Sequence, residues 1–277
     1  MNFERQRAGV ESISLVRGVG RFLASPSTYM FPKYLVSHAD PERSRVDEFI
    51  QNLRSARPGE LLLDAGAGNF RFRELLLEKG FLYESQDFEQ VFDQNSRGKH
   101  TYVCDIKSIP VESSRFEVIV CTQVLEHLPD PLGAMKEFSR VLKPGGELFL
   151  TTNLLFPIHG APFDFFRFTN YGLEHLCRES GFSNIQVVAR GGFFCLCAKI
   201  IYDLPAIASS WLYFGGSSPH GQRELKLRSW PLVVLLTPAI FLLDIVTTLM
   251  AFLVSKLDWI DRKRRFTLGY QLRASLD

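Results

Sequence analysis

Continuous apolar runs and helical apolar stripes alternate through the middle of this chain. Leu61-Leu62-Leu63 is apolar without interruption and stops at Asp64, as expected of a strand buried on both faces in a parallel sheet. Phe70 to Lys79 carries Phe72, Leu75 and Leu76 on one helical face. The alternation then repeats. Strands are predicted over Phe81–Asp87, Tyr102–Ile106 and Phe116–Thr122, and a helix over Pro131–Val141. Lys143-Pro-Gly-Gly146 makes a turn into a strand over Glu147–Thr152. Thr169 is placed to cap a helix over Asn170–Glu179, and Gly181-Phe182 leads into a strand over Asn184–Val188. A closing strand is expected over Thr267–Ala274, and upstream Asp40 can cap a helix that Pro41 begins. Strands alternating with helices in this way predict a doubly wound, mostly parallel α/β sheet.

The first strand carries the chemistry. Asp64-Ala-Gly66-Ala-Gly68 puts an acid and a G-x-G turn between strand and helix, where an α/β sheet builds a nucleotide pocket. Glycine lets the chain turn sharply and lets a ligand lie on the main chain. A dinucleotide site would use G-x-G-x-x-G and would not welcome a carboxylate beside a pyrophosphate. S-adenosylmethionine has no phosphate. Its cationic end suits a strand-end acid, and its carboxylate suits a helix N-terminus. Asp87, closing the second strand, follows the glycine turn by about twenty residues, the spacing at which an acid reaches ribose hydroxyls. Asp105 and Ile106, closing the third, form a pair able to bind an adenine amino group and cover its ring.

Leu61–Asp64 with Gly66 and Gly68, Val124-Leu-Glu-His-Leu128 and Arg140-Val-Leu-Lys-Pro-Gly-Gly146 together resemble the class I S-adenosylmethionine-dependent methyltransferases, most closely their type 11 group. The resemblance runs from about Arg45 to Val188, with a return near Gly269-Tyr270. It implies a seven-stranded Rossmann-like sheet and S-adenosyl-L-methionine as cofactor. It places Asp64, Gly66 and Gly68 at the cofactor's amino-acid end, Asp87 at the ribose, Asp105 and Ile106 at the adenine, and Gln123 along the fourth-strand edge. The family usually has a third glycine where this chain has Phe70. His127 matches the histidine of the family's Glu-His pair, which assists chemistry in some members and only packs in others.

A chain of 277 residues, 46% hydrophobic with a formal charge of +2, can bury one substantial core and gives no sign of a nucleic-acid partner. Five cysteines without a C-x-x-C fit reduced thiols in a cytoplasmic protein, and no metal site is expected. No signal peptide is visible in the first residues.

The substrate side is read from position. His159-Gly-Ala-Pro-Phe-Asp164-Phe-Phe-Arg167-Phe-Thr169 follows the fifth strand, and its aromatic faces suit a sulfonium. With His127, the residues His159, Asp164 and Arg167 are the candidate catalytic groups, although Asp164 and Arg167 are also spaced to pair and hold the loop. Residues 1–44 read as a cap segment: Ile13, Leu15, Val16 and Phe22 suggest a short helix, and Tyr29–Leu35 an extended aromatic piece.

Residues 45–192 form the cofactor-binding core, 193–265 a hydrophobic helical insert, and 266–277 the closing strand. Trp230 to Val254 is long enough to span a bilayer but contains Pro238 and Asp244, and Phe193 to Phe214 contains Lys199, Asp203 and Pro205. A single span would strand the closing strand across the membrane. Two spans would put Arg223, Lys226 and Arg228 on the far side, against the positive-inside tendency. With Trp230, Trp259 and Arg262-Lys-Arg-Arg265 flanking it, the insert reads best as docked peripherally on a membrane surface. Its alternative is a helical subdomain or dimer patch buried in protein.

The expected activity is methylation, slightly favouring oxygen, of a small-molecule acceptor that is hydrophobic or lipid-linked. The rivals are a catalytically silent cofactor-fold scaffold, a membrane-associated interaction protein and, less favoured, a nicotinamide-dependent oxidoreductase.

Overall fold

The computed structural model of the protein describes residues 39–88, 99–213 and 230–277. Ile13 to Phe22, Tyr29–Leu35, Arg223, Lys226 and Arg228, on which expectations were placed above, lie outside the described residues. Among the described residues the chain forms two compact units: 45–192 with 264–277, and 193–263 with those before 45.

The first unit is built on a seven-stranded sheet of β1 (Leu61–Ala65), β2 (Leu82–Asp87), β3 (Tyr102–Val103), β4 (Phe116–Thr122), β5 (Leu142–Asn153), β6 (Phe182–Arg190) and β7 (Gly269–Leu276). Their order is β3-β2-β1-β4-β5-β7-β6. The strands from β3 to β5 are parallel, and β7 runs antiparallel to both β5 and β6. The Rossmann-like sheet expected from the sequence is therefore present. The helices of this unit are most of α1 (Pro41–Gln51), then α2 (Arg73–Glu78), α3 (Pro131–Val141) and α4 (Asn170–Glu179).

Alternation along each strand divides the core in two. Leu63, Ile119, Cys121, Leu148 and Leu150 face one side and pack with Met135, Phe138 and Leu173. Leu62, Val118 and Val120 face the other and pack with Val46, Ile50 and Leu76. Burial on both faces explains the unbroken apolar runs Leu61–Leu63 in β1 and Val118–Cys121 in β4. Helix starts follow their sequence signals. Asp130 accepts from the Gly133 N–H at 2.9 Å just before Pro131, and Thr169 accepts from the Gly172 N–H at 3.1 Å. Asp40 accepts from the Arg43 N–H at a longer 3.4 Å.

Several boundaries differ from the sequence pattern, each for a local reason. Helix α2 begins at Arg73 rather than Phe70, because Phe70 holds a left-handed φ of 60°. Strand β3 stops at Val103, and the chain turns where the Asp105 carboxylate accepts from the Lys107 N–H at 2.9 Å. The expected turn at Lys143–Gly146 is a bulge inside β5. Pairing jumps from Phe116 opposite Leu142 to Val118 opposite Glu147, with Gly145 at a φ of 76°. Strands β6 and β7 extend beyond the spans expected for them, to Phe182–Arg190 and to Leu276.

The second unit holds α5 (Phe193–Tyr213) and α6 (Trp230–Ser255), which continue through Pro205 and Pro238. The start of α5 is tied down by Asp261, which accepts from the Phe193 N–H at 2.8 Å, and by Asp258, which accepts from Cys195 at 3.1 Å. Polar side chains lie inside: Lys199, Asp244, Thr247 and Thr248 are buried, and Lys199 bonds Asp203 at 2.7 Å. Apolar side chains lie outside, with Leu235 73% and Leu253 65% exposed. The stretch Leu235–Ile260 is long and apolar enough to cross a membrane by length and composition.

Candidate active site

The carboxyl ends of β1 and β4 adjoin where the strand order reverses, the place at which open α/β sheets bind ligands. Register builds the first half of the site. Ala65 lies opposite Gln86, and the chain leaving β1 hydrogen-bonds onto the end of β2. The N–H groups of Gly66 and Ala67 donate to the Gln86 carbonyl at 2.9 and 3.0 Å, and the Gly68 N–H donates to Asp87 Oδ2 at 2.6 Å. Gly66 has a φ of 72°, and a Cβ there would come within 2.4 Å of Val124. Gly68 has a φ of 53°, and a Cβ on it would meet nothing within 4 Å. The turn therefore leaves open space over its second glycine.

Asp64 is buried beneath this turn, 3% exposed, and accepts from the Tyr83 hydroxyl at 2.8 Å. Burial pushes its carboxyl up to about 7; the Tyr83 hydrogen bond pulls the other way, and the charge of Asp87 adds to the rise. A buried, incompletely compensated acid suits a cationic ligand. Asp105 stands exposed just beyond the carboxyl end of β3, while Ile106 turns inward and joins the core with Ile109 and Phe116. The open glycine turn, the buried acid and the strand-end Asp87 fit the amino-acid and ribose portions of S-adenosylmethionine.

The second half lies at the ends of β4 and β5. Gln123 has a φ of 57°, and its N–H donates to the Thr151 carbonyl at 2.9 Å. Its carboxamide, oriented to suit its neighbours, donates to Glu126 Oε1 at 3.1 Å and accepts from Arg190 at 3.0 Å. Glu126 is fully buried and accepts from Thr152 Oγ1 at 2.8 Å and Asn153 Nδ2 at 3.1 Å. Burial raises its pKa against that Thr152 hydrogen bond and the charges of His127 and Arg190. The Glu126 backbone carbonyl also accepts from Phe165 at 2.9 Å and Phe166 at 3.2 Å. One residue thus anchors the aromatic loop to the sheet.

His127 and His159 meet edge to face, with ring centroids 4.6 Å apart. His127 Nδ1 contacts the Phe163 carbonyl, and His159 Nδ1 lies 3.1 Å from the Pro157 carbonyl. A backbone acceptor at Nδ1 selects the tautomer with its lone pair on Nε2. Burial and the neighbouring His127 lower the His159 pKa, keeping that ring neutral near pH 7. Asp164 is bridged by Arg167 at 2.5 and 2.8 Å and accepts from the His159 N–H at 2.9 Å. The Arg167 hydrogen bonds hold its pKa down at about 2, leaving Asp164 a weak base and a strong strut. Ile158, Phe163, Phe165 and Phe166 are exposed along the same loop.

Of the sequence-derived site residues, Asp64, Gly66, Gly68 and Asp87 converge at the glycine turn, and His127, His159, Asp164 and Arg167 converge in the loop. An oxygen of Glu126 and one nitrogen each of His127 and His159 lie within 4.8 Å of one another, a grouping able to close on a metal ion, where no metal site was expected. Both Glu126 oxygens already accept protein hydrogen bonds. Three neighbours were missed. Tyr83 was readable, since parallel pairing puts it opposite Leu62 and near Asp64. Fully buried Arg190, whose Nη2 donates to the Thr152 carbonyl and Asn153 at 3.1 and 3.0 Å, lay just past the predicted end of its strand. Buried His100 had no local signal.

Comparison with known proteins bears on the same residues. Residues 63–150 match the family model described as "Methyltransferase domain". A ubiquinone biosynthesis O-methyltransferase of Coxiella burnetii is 28% identical over 160 residues, covering 55% of this chain and 65% of the relative. One of Idiomarina loihiensis is 29% identical over 116 residues, covering 38% and 46%. The chain thus spans less than two thirds of the length of these curated relatives. A solved S-adenosylmethionine-dependent methyltransferase from Archaeoglobus fulgidus is 12% identical, with a TM-score of 0.46 over 88% of this chain and all of that one. The family match lies on the β1–β5 half of the sheet, so residues 63–150, which include the glycine turn and the Glu126-His127 segment, are similar to a methyltransferase domain.

Proposed function

We propose that the protein transfers the methyl group of S-adenosylmethionine to a hydroxyl oxygen of a small, hydrophobic or lipid-linked acceptor. The observation that carries this reading is the pair of imidazoles, His127 and His159, set beside an exposed aromatic loop at the β4–β5 edge. In this reading Asp64, Gly66 and Gly68 hold the amino-acid end of the cofactor, Asp87 the ribose and Asp105 the adenine, and Gln123 lines the edge; Ile106, expected to cover the adenine ring, is packed in the core instead. When bound, the cofactor supplies an electrophilic methyl group. The exposed Phe163, Phe165 and Phe166 offer an apolar rim to the acceptor. A neutral imidazole takes the hydroxyl proton as the oxygen–methyl bond forms and the sulfur–methyl bond breaks. Asp164 and Arg167 hold the loop, and positioning supplies much of the acceleration. The relatives named as O-methyltransferases support oxygen as the acceptor atom.

The insert docks peripherally on a membrane in the same reading. Its apolar residues face outward and its polar ones inward, and Arg262-Lys-Arg-Arg265 follows it in sequence, suited to anionic headgroups. Burial of Asp244 within protein removes the main objection to an apolar environment around α6.

Binding should depend on pH through Asp64. Its pKa of about 7 in the folded protein exceeds the unfolded 3.8, so its ionisation costs stability that builds from near pH 4 and is complete above about 7. A cationic ligand recovers that cost. Affinity for S-adenosylmethionine, measured calorimetrically, should rise about tenfold from roughly pH 6 to 8, and Asp64→Asn should flatten the profile.

Replacing the proton acceptor should slow chemistry without loosening the cofactor. His127→Gln and His159→Gln are expected to leave S-adenosylhomocysteine affinity nearly unchanged, and at least one should lower kcat by about 100-fold. Unchanged kcat in both would remove the imidazoles from the mechanism.

Vesicle flotation tests the membrane reading. The full chain should float with vesicles containing anionic lipid, and less so once Arg262, Lys263, Arg264 and Arg265 are changed to Ser. Recovery only in the soluble fraction would leave the outward apolar face to a protein partner.

A further inference from the structure

Phe70 and His100 form a feature that the cofactor assignments above leave unused. Phe70 occupies a left-handed backbone position, φ 60°, two residues after Gly68. An aromatic residue rarely adopts that conformation, which persists only where its surroundings enforce it. Its ring stacks on the His100 imidazole, with centroids 4.4 Å apart and planes inclined by 29°. His100 is 8% exposed, and neither Nδ1 nor Nε2 has a hydrogen-bond partner. Buried polar groups are normally paired, and leaving one unmet is costly. A neutral imidazole brings one N–H donor and one lone pair, so the site leaves one of each unmatched.

The surroundings say what could meet them. Burial lowers the His100 pKa, while the Asp87 carboxylate is near enough to oppose that fall. Asp87 itself closes β2; its Oδ2 accepts from the Gly68 N–H and its Oδ1 from the Phe88 N–H at 2.7 Å. A backbone turn, a carboxylate and an orphaned imidazole therefore share one corner of the site. Carboxylates only accept, whereas a hydroxyl donates and accepts. A vicinal diol can satisfy both groups: one hydroxyl donates to the acid, and its neighbour pairs with the imidazole.

We propose that His100, propped by the Phe70 ring, is a ligand-binding residue that hydrogen-bonds a ribose hydroxyl of the adenosyl group beside Asp87. This rests on the cofactor reading given above. Phe70 then stands where a third glycine would be because its ring positions the imidazole. The strained backbone at Phe70 is the cost of that support.

The test is calorimetric binding of S-adenosylhomocysteine and its 2′-deoxy and 3′-deoxy ribose analogues to the full chain. The wild type should lose on the order of tenfold in affinity when the recognised hydroxyl is removed. His100→Ala should bind S-adenosylhomocysteine on the order of tenfold more weakly and distinguish that deoxy analogue by about twofold or less. His100→Phe, which keeps the ring on Phe70 but has no nitrogen, guards against loss of folding. It should retain the wild-type Tm and show the same loss of discrimination, and His100→Gln should recover part of it. A folded His100→Phe that binds within twofold of wild type, or keeps full discrimination, overturns the proposal while leaving the cofactor reading intact. A wild-type protein that binds no S-adenosylhomocysteine overturns both.

Discussion

The register of β1 against β2 is the constraint on which the site depends. Because Asp64 lies opposite Ser85 and Ala65 opposite Gln86, the chain leaving β1 arrives on the last residues of β2. Three successive N–H groups, from Gly66, Ala67 and Gly68, are then taken up by the Gln86 carbonyl and the Asp87 carboxylate. A register slip of one residue would turn every side chain of β1 to the opposite face, burying Asp64 in a different layer and moving the turn off Asp87. The cost of burying Asp64 follows from the same geometry, since among the described residues this strand-end acid under a tight turn is hydrogen-bonded by Tyr83 alone. A buried acid so weakly compensated suits a cationic group above it.

The two halves of the site are held in different ways. The glycine-turn half is fixed by backbone pairing. The β4–β5 half is fixed by one buried side chain, since Glu126 ties Thr152 and Asn153 with its carboxylate and the aromatic loop with its carbonyl. Arg190, reaching in from the end of β6, faces the same polar cluster through Asn153 and the Thr152 carbonyl. The Asp164–Arg167 bridge then sets where His159 lies, and His159 meets His127. Cofactor binding and acceptor chemistry can therefore be perturbed separately.

What was legible in the sequence was what repeats along the chain. Unbroken apolar runs at Leu61–Leu63 and Val118–Cys121 reported strands buried on both faces, and the acids closing β1 and β2 could be read from spacing to the glycine turn. Boundaries set by single backbone angles were not legible. Phe70 looks like a helix residue and instead holds a left-handed turn, and the Pro144-Gly-Gly bulge stays inside β5. Partners supplied by distant elements were equally hidden. Arg190 is brought to Asn153 by the antiparallel return of β7 between β5 and β6, and His100 is brought to Phe70 from a different strand connection. Their sequence separations carry no periodic signal. In the insert, hydropathy marked the apolar helices, but only the fold showed that Lys199, Asp244 and Thr248 point inward while Leu235 and Leu253 point out.

The central claim is that the glycine turn and the acid closing β2 form a binding site for the adenosyl cofactor. Calorimetric titration of the full chain with S-adenosylmethionine, wild type beside Asp87→Ala, tests it most directly. Micromolar binding that the substitution abolishes, with the variant's circular dichroism unchanged, is the result this account predicts. Equal affinity in the two proteins, or no binding by the folded wild type, would contradict it.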